Sequence, residues 1–513
     1  MILKAKILGM EAGGKPIAVL NKEDADDLGI KSGGRIKIQF GKKDVTAIVN
    51  ITTKVVPKNF LGIYEEIKID LGLKDNENIE VEIAKYPISL QHIKNKLKGR
   101  NLSSEEIFEI VKDTVEGNLS EIEIASFVTA LNSFGLSIEE ITSLTLAMVE
   151  TGKKLDLKNK FIVDKHSIGG QPGDKTSLLL VPIIASAGIT IPKTSSRAIT
   201  GAAGTADRAE VLMDVELDIE EMKRVILHTN GCITWGGSLH LAPADEIFIQ
   251  IEYPLSIDPL LLPSIMSKKK AVGANFVVID IPTGRGTKVK TIGDADLLAK
   301  DFIQLGNRLG IKTQCAVTHG EEPLGYAIGP ALEAREALEI ISRKKTIPDV
   351  LDKATSLAGI LLSMTNKGNK EMAMEIIKSG KAEEKLREII LFQGGKTQIK
   401  PEDIEIGNYG LDITAEKDGF VLWMDNNSLI SVARSAGAPK SKGAGILLYK
   451  KVGDPVKKGE KVLTIYSEKT NKLERAGRLV AEEYCFGVGK RKEILIHEVK
   501  ELPTYKKAFI LER

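Results

Sequence analysis

The apolar positions change rhythm several times along the chain, and each change predicts a different kind of element. In the first 84 residues short apolar runs alternate with turn residues, and DLGIKSGGRIKI (Asp27 to Ile38) recurs as DLGLKDNENIEV (Asp70 to Val81). A duplicated unit of short helix, turn and strand predicts a small pseudo-symmetric β-barrel over 1–84, with Gly33 and Gly34 turning into a strand at Arg35 to Phe40. Over 88–157 the period becomes helical. Ser103, Ser120 and Ser137 each stand three positions before a glutamate (Glu106, Glu123, Glu140), with Leu before the serine and Ile after the glutamate. These are capping boxes with hydrophobic staples, so short antiparallel helices are expected here, with part of 218–235 joining them.

Residues 160–345 alternate short apolar strands (Phe161 to Val163, Phe276 to Ile279, Thr313 to Val317) with helical stretches. That alternation predicts an α/β domain with a largely parallel or mixed sheet. A helical connection follows over 346–410, where Leu357, Ile360, Leu361 and Met364 fall on one helix face. The turn-rich VGDPVKKGEKVLTIYSE (Val452 to Glu468) places a separate α+β domain over 411–513. The expected fold class is therefore multidomain α/β, and 513 residues are too many for one core.

Composition narrows the function. The 72 basic and 70 acidic residues leave a net charge of +2, so no global field draws the chain to nucleic acid. Apolar runs stop short of a membrane span. Cys232, Cys315 and Cys485 are far apart and lack CxxC spacing, which argues against a zinc site or disulfide framework and suits a reducing cytoplasm.

The candidate chemistry lies in three glycine-rich loops. KHSIGGQPGDKTS (Lys165 to Ser177) resembles a phosphate loop but puts Asp174, not glycine, before Lys175-Thr176. A Walker A motif needs glycine there, so an ATPase reading fails. The backbone amides around Gly169, Gly170 and Gly173 still suit an anion, with Lys165, Ser167 and Ser177 as donors. His166 is a candidate general acid or a structural donor. SSRAITGAAGTADRAE (Ser195 to Glu210) adds Ser195, Ser196, Thr200 and Thr205, with Arg197 as a planar fork for phosphate. IPTGRGTKVK (Ile281 to Lys290) adds Arg285 and Lys288. Three such loops point to a ligand with an anion at each end, or an anion and a sugar.

These segments, with SLHLAPADE (Ser238 to Glu246), LLPSIMSKKKAVGAN (Leu261 to Asn275) and GEEPLGYAIGPALEAREAL (Gly320 to Leu338), resemble the thymidine/pyrimidine-nucleoside phosphorylase family over about 88–500. The N-terminal stretch resembles the double-psi barrel of certain AAA ATPases. The family resemblance implies a helical domain facing an α/β domain across a cleft, and phosphorolysis without a metal or organic cofactor. By the same resemblance Lys165, Ser167, Ser177 and Thr205 hold the attacking phosphate, while Ser264 and Lys268 face base or sugar. Pyrimidine-specific members carry an arginine after the LAPAD motif, and here none lies between Asp245 and Ser264. That departure and the 84-residue N-terminal addition resemble the archaeal AMP phosphorylase branch, which cleaves nucleoside 5′-monophosphates to free base and ribose 1,5-bisphosphate. In that branch Gly169, the run Ser195, Ser196, Arg197, Ala198, Ile199 and Thr200, Thr205, Ser264 and Lys288 would contact the nucleotide. Asp258 would be the proton donor, its pKa raised by the apolar setting of LSIDPLLLP. The resemblance also implies a homo-oligomer, at least a dimer. A nucleoside phosphorylase and a non-catalytic assembly protein are the alternative readings.

Overall fold

In the computed structural model, residues 1–157, 161–199 and 201–490 are described. The N-terminal segment closes into a six-stranded barrel of β1 (Ile2–Ile7), β2 (Ile17–Asn21), β3 (Arg35–Phe40), β4 (Lys43–Thr52), β5 (Phe60–Ile63) and β6 (Asn78–Ile83), in the order β1-β5-β2-β4-β3-β6. The sequence repeat explains its symmetry. Helices α1 (Lys22–Leu28) and α2 (Glu65–Leu71) each stop at a left-handed glycine, Gly29 at φ 70° and Gly72 at φ 71°, before feeding β3 and β6. Only glycine reaches that conformation without a steric penalty, so both copies turn alike.

Four helices follow: α3 (Ser89–Lys96), α4 (Ser104–Val115), α5 (Glu121–Phe134) and α6 (Ile138–Glu150). All three predicted capping boxes form, with serine and glutamate each satisfying the other's backbone N–H. Each such cap stabilises its helix start by about 1 kcal/mol. Glu123 of the second box also takes Arg35 of the barrel, whose Nε donates to Asn118 O at 2.8 Å, so the cap fastens barrel to helices.

Beyond lie β7 (Val163–Ser167), α7 (Thr176–Ser186), β8 (Ile191–Ser195), α8 (Thr205–Ala209), α9 (Ile219–Thr229), β9 (Gly231–Trp235), α10 (Gly236–Leu239), α11 (Pro243–Leu255), α12 (Leu261–Ala271), β10 (Phe276–Thr283), α13 (Ile292–Leu309) and β11 (Lys312–His319). Of the two expected arrangements, largely parallel or mixed, these strands take the parallel one. Strands β11-β10-β7 and β8-β9 pair in parallel throughout, and an Ile162–Thr190 parallel bridge joins the two sets. The reason is connectivity, since each successive strand is reached through a helical crossover, which returns the chain in the same direction. One correction concerns the segment that rejoins the helical layer. Helix α9 packs on β8, β9 and the later helix over Lys381–Phe392, whereas Ala242, Ala244, Phe248 and Leu260 share a core with α4, α5 and α6. The returning piece is thus centred on α11, not on 218–235.

The chain continues through β12 (Ala327–Ile328), α14 (Pro330–Ile341), α15 (Pro348–Met364), α16 (Lys370–Lys378) and α17 (Lys381–Phe392). The predicted helical connection is three helices whose apolar faces complete the core around α7. The C-terminal part holds β13 (Tyr409–Thr414), β14 (Gly419–Met424), α18 (Asn426–Ala436), β15 (Gly445–Leu448), β16 (Pro455–Val456), β17 (Lys461–Ser467), α19 (Thr470–Glu482) and β18 (Phe486–Gly489). Strand β12 pairs with β15 in the sheet β12-β15-β17-β13, so this part is bonded to the α/β region through one shared sheet. No described helix is long and apolar enough to cross a membrane.

Candidate active site

The predicted strand Phe161 to Val163 begins later and runs further, so Lys165, His166 and Ser167 are the last residues of β7 rather than loop. They point into a cavity of about 570 Å³ at the carboxyl ends of β7 and β8, where parallel α/β sheets place ligands. Helices α11 and α12 form the facing wall with Tyr253, Asp258, Ser264 and Lys268. The glycines in the loop after β7 are there for close approach. Gly170 sits at φ 95°, and a Cβ on it would lie 2.8 Å from the Lys288 backbone N. Gly173 at φ 79° would place a Cβ 2.5 Å from Leu324 O.

Ser177 opens α7 and Thr205 opens α8, and both line the cavity with Lys165 and Ser167. Lys165 is buried, yet its Nζ stands 3.6 Å from Asp174 and 3.8 Å from Asp280, too far for hydrogen bonds. Lys353 of α15 reaches the same carboxylates, 3.0 Å from Asp280 and 4.0 Å from Asp174, and donates to Gln171 Oε1 at 2.9 Å. Burial works to raise the Asp174 carboxyl, but Lys165, Lys353 and Arg208 outweigh it and hold it well below the carboxylate range. Lys175, the residue that suggested a Walker loop, is fully buried against Glu336 at 2.6 Å and faces no ligand.

His166 is placed among lysines. Desolvation in the cavity wall, then Lys269, Lys193, Lys268 and Lys165, push its imidazole well below the ordinary value. It is therefore neutral at pH 7 and suited to hydrogen bonding, not to acting as an acid. Lys193, which sequence reasoning left unassigned, is buried beside it and its own pKa is also driven well down, by burial and then by Lys269. An anion entering this corner would relieve both.

Gly169, Ser195, Ser196, Ala198, Ile199, Ser264 and Lys288 line the cavity, and Thr200 lies outside the described residues. Arg197 lines it too, but its guanidinium is bound to Glu210 at 2.5 Å and Glu216 at 2.7 Å and lies 5.1 Å from the Trp235 ring centroid. The expected phosphate fork is corrected to a brace for its loop, because two carboxylates already occupy it. A second brace was invisible in the sequence: Arg434 of α18 donates to Ile199 O at 2.8 Å and Gly201 O at 3.2 Å. Lys268 Nζ pairs with buried Asp245 at 2.5 Å.

Asp258 also lines the cavity, but the burial expected for it is absent: its side chain is 44% exposed and pairs with Lys288 at 2.9 Å. The apolar residues of LSIDPLLLP do not enclose it. Leu255 is itself exposed, and Leu260 turns inward to the helical core. The buried carboxyl on this wall is Glu252, in the stretch where the pyrimidine-specific arginine is missing.

Comparison with known proteins agrees with this architecture. Residues 90–152 match the helical bundle domain of a glycosyl transferase family, 159–383 its α/β domain, and 420–486 the pyrimidine nucleoside phosphorylase C-terminal domain. The chain is 48% identical to an AMP phosphorylase of Thermofilum pendens over the full length of both proteins. It is 49% identical to that of Thermococcus kodakarensis, covering 93% of this chain and 95% of the relative. Anthranilate phosphoribosyltransferase of Thermus thermophilus shares the fold at a TM-score of 0.51, with 19% identity over 59% of this chain and 99% of that one. The chain belongs to this glycosyl transferase family and, within it, to the AMP phosphorylases.

Proposed function

We propose that the chain is a nucleoside 5′-monophosphate phosphorylase acting on AMP. Inorganic phosphate attacks C1′, the C1′–N bond breaks with its electrons going to the base, and ribose 1,5-bisphosphate remains. The observation that carries the reading is the buried, under-coordinated Lys165 facing the cavity beside Ser167, Ser177 and Thr205. A cation in that state favours an anionic ligand, and the attacking phosphate is that anion. The nucleotide lies between the loop from Ser195 to Thr205 and the wall of Ser264, Lys268 and Lys288. A cavity of about 570 Å³ falls within the roughly 300–1,000 Å³ usual for small-molecule sites.

Positive charge builds on the sugar and negative charge on the base in the transition state, so the phosphate stabilises the first and a proton offsets the second. Closure of the two walls over the bound nucleotide would keep water from competing for the sugar. The same reading includes a cytoplasmic homo-oligomer, at least a dimer, and the free cysteines suit that compartment.

The test is base release from AMP and adenosine, each with and without inorganic phosphate. Adenine is expected from AMP only when phosphate is present, at least about tenfold faster than from adenosine, since loss of charged contacts to the 5′-phosphate costs about 1.4 kcal/mol or more. Equal or faster release from adenosine would return the chain to nucleoside phosphorylases.

A further inference from the structure

Two lysines, not one, stand at the phosphate corner. Lys165 belongs to the end of β7 and lines the cavity, whereas Lys353, in the second turn of α15, is buried and does not line it. Both ammonium groups approach the same oxygens, Asp280 Oδ2 and Asp174 Oδ2, but not equally. Lys353 stands 3.0 Å from Asp280, where Lys165 stays at 3.8 Å. Lys165 is 3.6 Å from Asp174, and Lys353 is 4.0 Å from it. Contact with the fully buried Asp280 therefore belongs to Lys353, and Lys165 keeps its hydrogen-bonding capacity.

Other residues fix this division. Thr318, near the end of β11, donates its hydroxyl to Asp280 Oδ1 at 2.6 Å, which holds Oδ2 toward the lysines. Gln171, in the loop after β7, donates to His319 O at 3.1 Å and Glu322 O at 2.9 Å, and its Oε1 accepts from Lys353 at 2.9 Å. Burial works to lower the Lys353 pKa, but Asp174 and Asp280 outweigh it and raise it above the usual lysine value.

Two cations and two anions leave the corner neutral. Without Lys353, Asp280 would be a buried carboxylate with Lys165 as its remaining cation, and the cost of an unpaired buried charge would draw Lys165 into contact. That lysine would be turned from the ligand, and the corner would set a negative charge against an arriving anion. Resting on the phosphorolysis reading, we propose that Lys353 is a positioning residue for the attacking phosphate: it compensates Asp280 so that Lys165 is left to the anion. Lys353 touches no reactant and acts through Asp280 and Lys165.

The test compares Lys353→Met with the double variant Lys353→Met, Asp280→Asn, in the full-length protein with AMP and phosphate each varied. Lys353→Met should raise the phosphate KM about 30-fold, while kcat at saturating phosphate and the KM for AMP stay within about threefold of wild type. In the double variant the corner is neutral again, and Asn at 280 still offers Thr318 an acceptor. Its phosphate KM should return to within about fivefold of wild type. The tie from Lys353 to Gln171 is missing from both variants, so a lysine that only braced the loop would leave the double variant as impaired as the single one. That result overturns the proposal. So does a loss in Lys353→Met shared equally by phosphate KM, AMP KM and kcat. If Lys353→Met does not fold, the double variant decides by the same criterion, and a double variant that does not fold either marks Lys353 as structural and overturns the proposal. A wild type that releases no base from AMP in a phosphate-dependent way overturns the phosphorolysis reading itself, and that result is visible before any variant is compared.

Discussion

Replacing Lys165 by methionine is expected to lower kcat/KM for phosphate by about 10³-fold or more, with most of the loss in phosphate KM. The argument is a charge count at one corner of the cavity. Lys165 and Lys353 balance Asp174 and Asp280. Without Lys165 the corner carries a net negative charge, and the site meant to receive a multiply charged anion repels it. The methionine fills similar volume, so the melting temperature should shift much less than the activity falls. Steady-state kinetics with phosphate as the varied substrate decides the matter; a loss under tenfold would remove Lys165 from the phosphate site.

The largest expected stability effect lies away from the cavity. Lys96 and Glu140 form a 2.7 Å ion pair, and each side chain is 1% exposed. Glu140 also accepts Leu102 N–H at 3.1 Å and Ser137 N–H at 2.9 Å, so one carboxylate closes the α6 capping box and neutralises a buried lysine. Glu140→Ala leaves the Lys96 charge buried without its partner, which costs about 3–5 kcal/mol. Urea unfolding followed by circular dichroism should show the unfolding free energy fall by that amount, seen as a lower midpoint at unchanged slope. A double variant, Lys96→Met with Glu140→Leu, should recover much of it, because an apolar pair needs no compensation. A loss under about 1 kcal/mol in Glu140→Ala would mean that the helical layer relaxes enough to hydrate Lys96.

Much of this was legible along the chain because it depends on near neighbours. A capping box is written within four residues, and all three that the sequence shows are formed. The barrel repeat was legible for the same reason, since each copy contains its own helix, glycine stop and strand. The Asp174 that excluded a Walker loop keeps its meaning, and the structure adds why Lys175 is there: it is buried against Glu336, far along the chain. Sequence reasoning failed where a side chain has more than one available partner. Arg197 looked like a free phosphate fork, but Glu210 and Glu216 had already claimed it. Asp258 sat among apolar neighbours in sequence and is nevertheless exposed, since those neighbours turn toward other surfaces.

The sequence alone determined the succession of barrel, helical layer and α/β region, the caps of three helices in that layer, the glycines that let loops approach one another, and the family. These are local backbone and side-chain preferences, set within a few residues. Only the tertiary structure decided which carboxyls are paired and which is left alone. Ion pairing and burial are set by distances between segments far apart in sequence: Lys353 lies far along the chain from Asp280 and Asp174, and among the described residues Glu252 is buried with Leu260 N–H as its hydrogen-bond donor and no ion pair. Because desolvation and charge together fix a proton affinity, the raised carboxyl of Glu252 could be recognised only once the helices were in place.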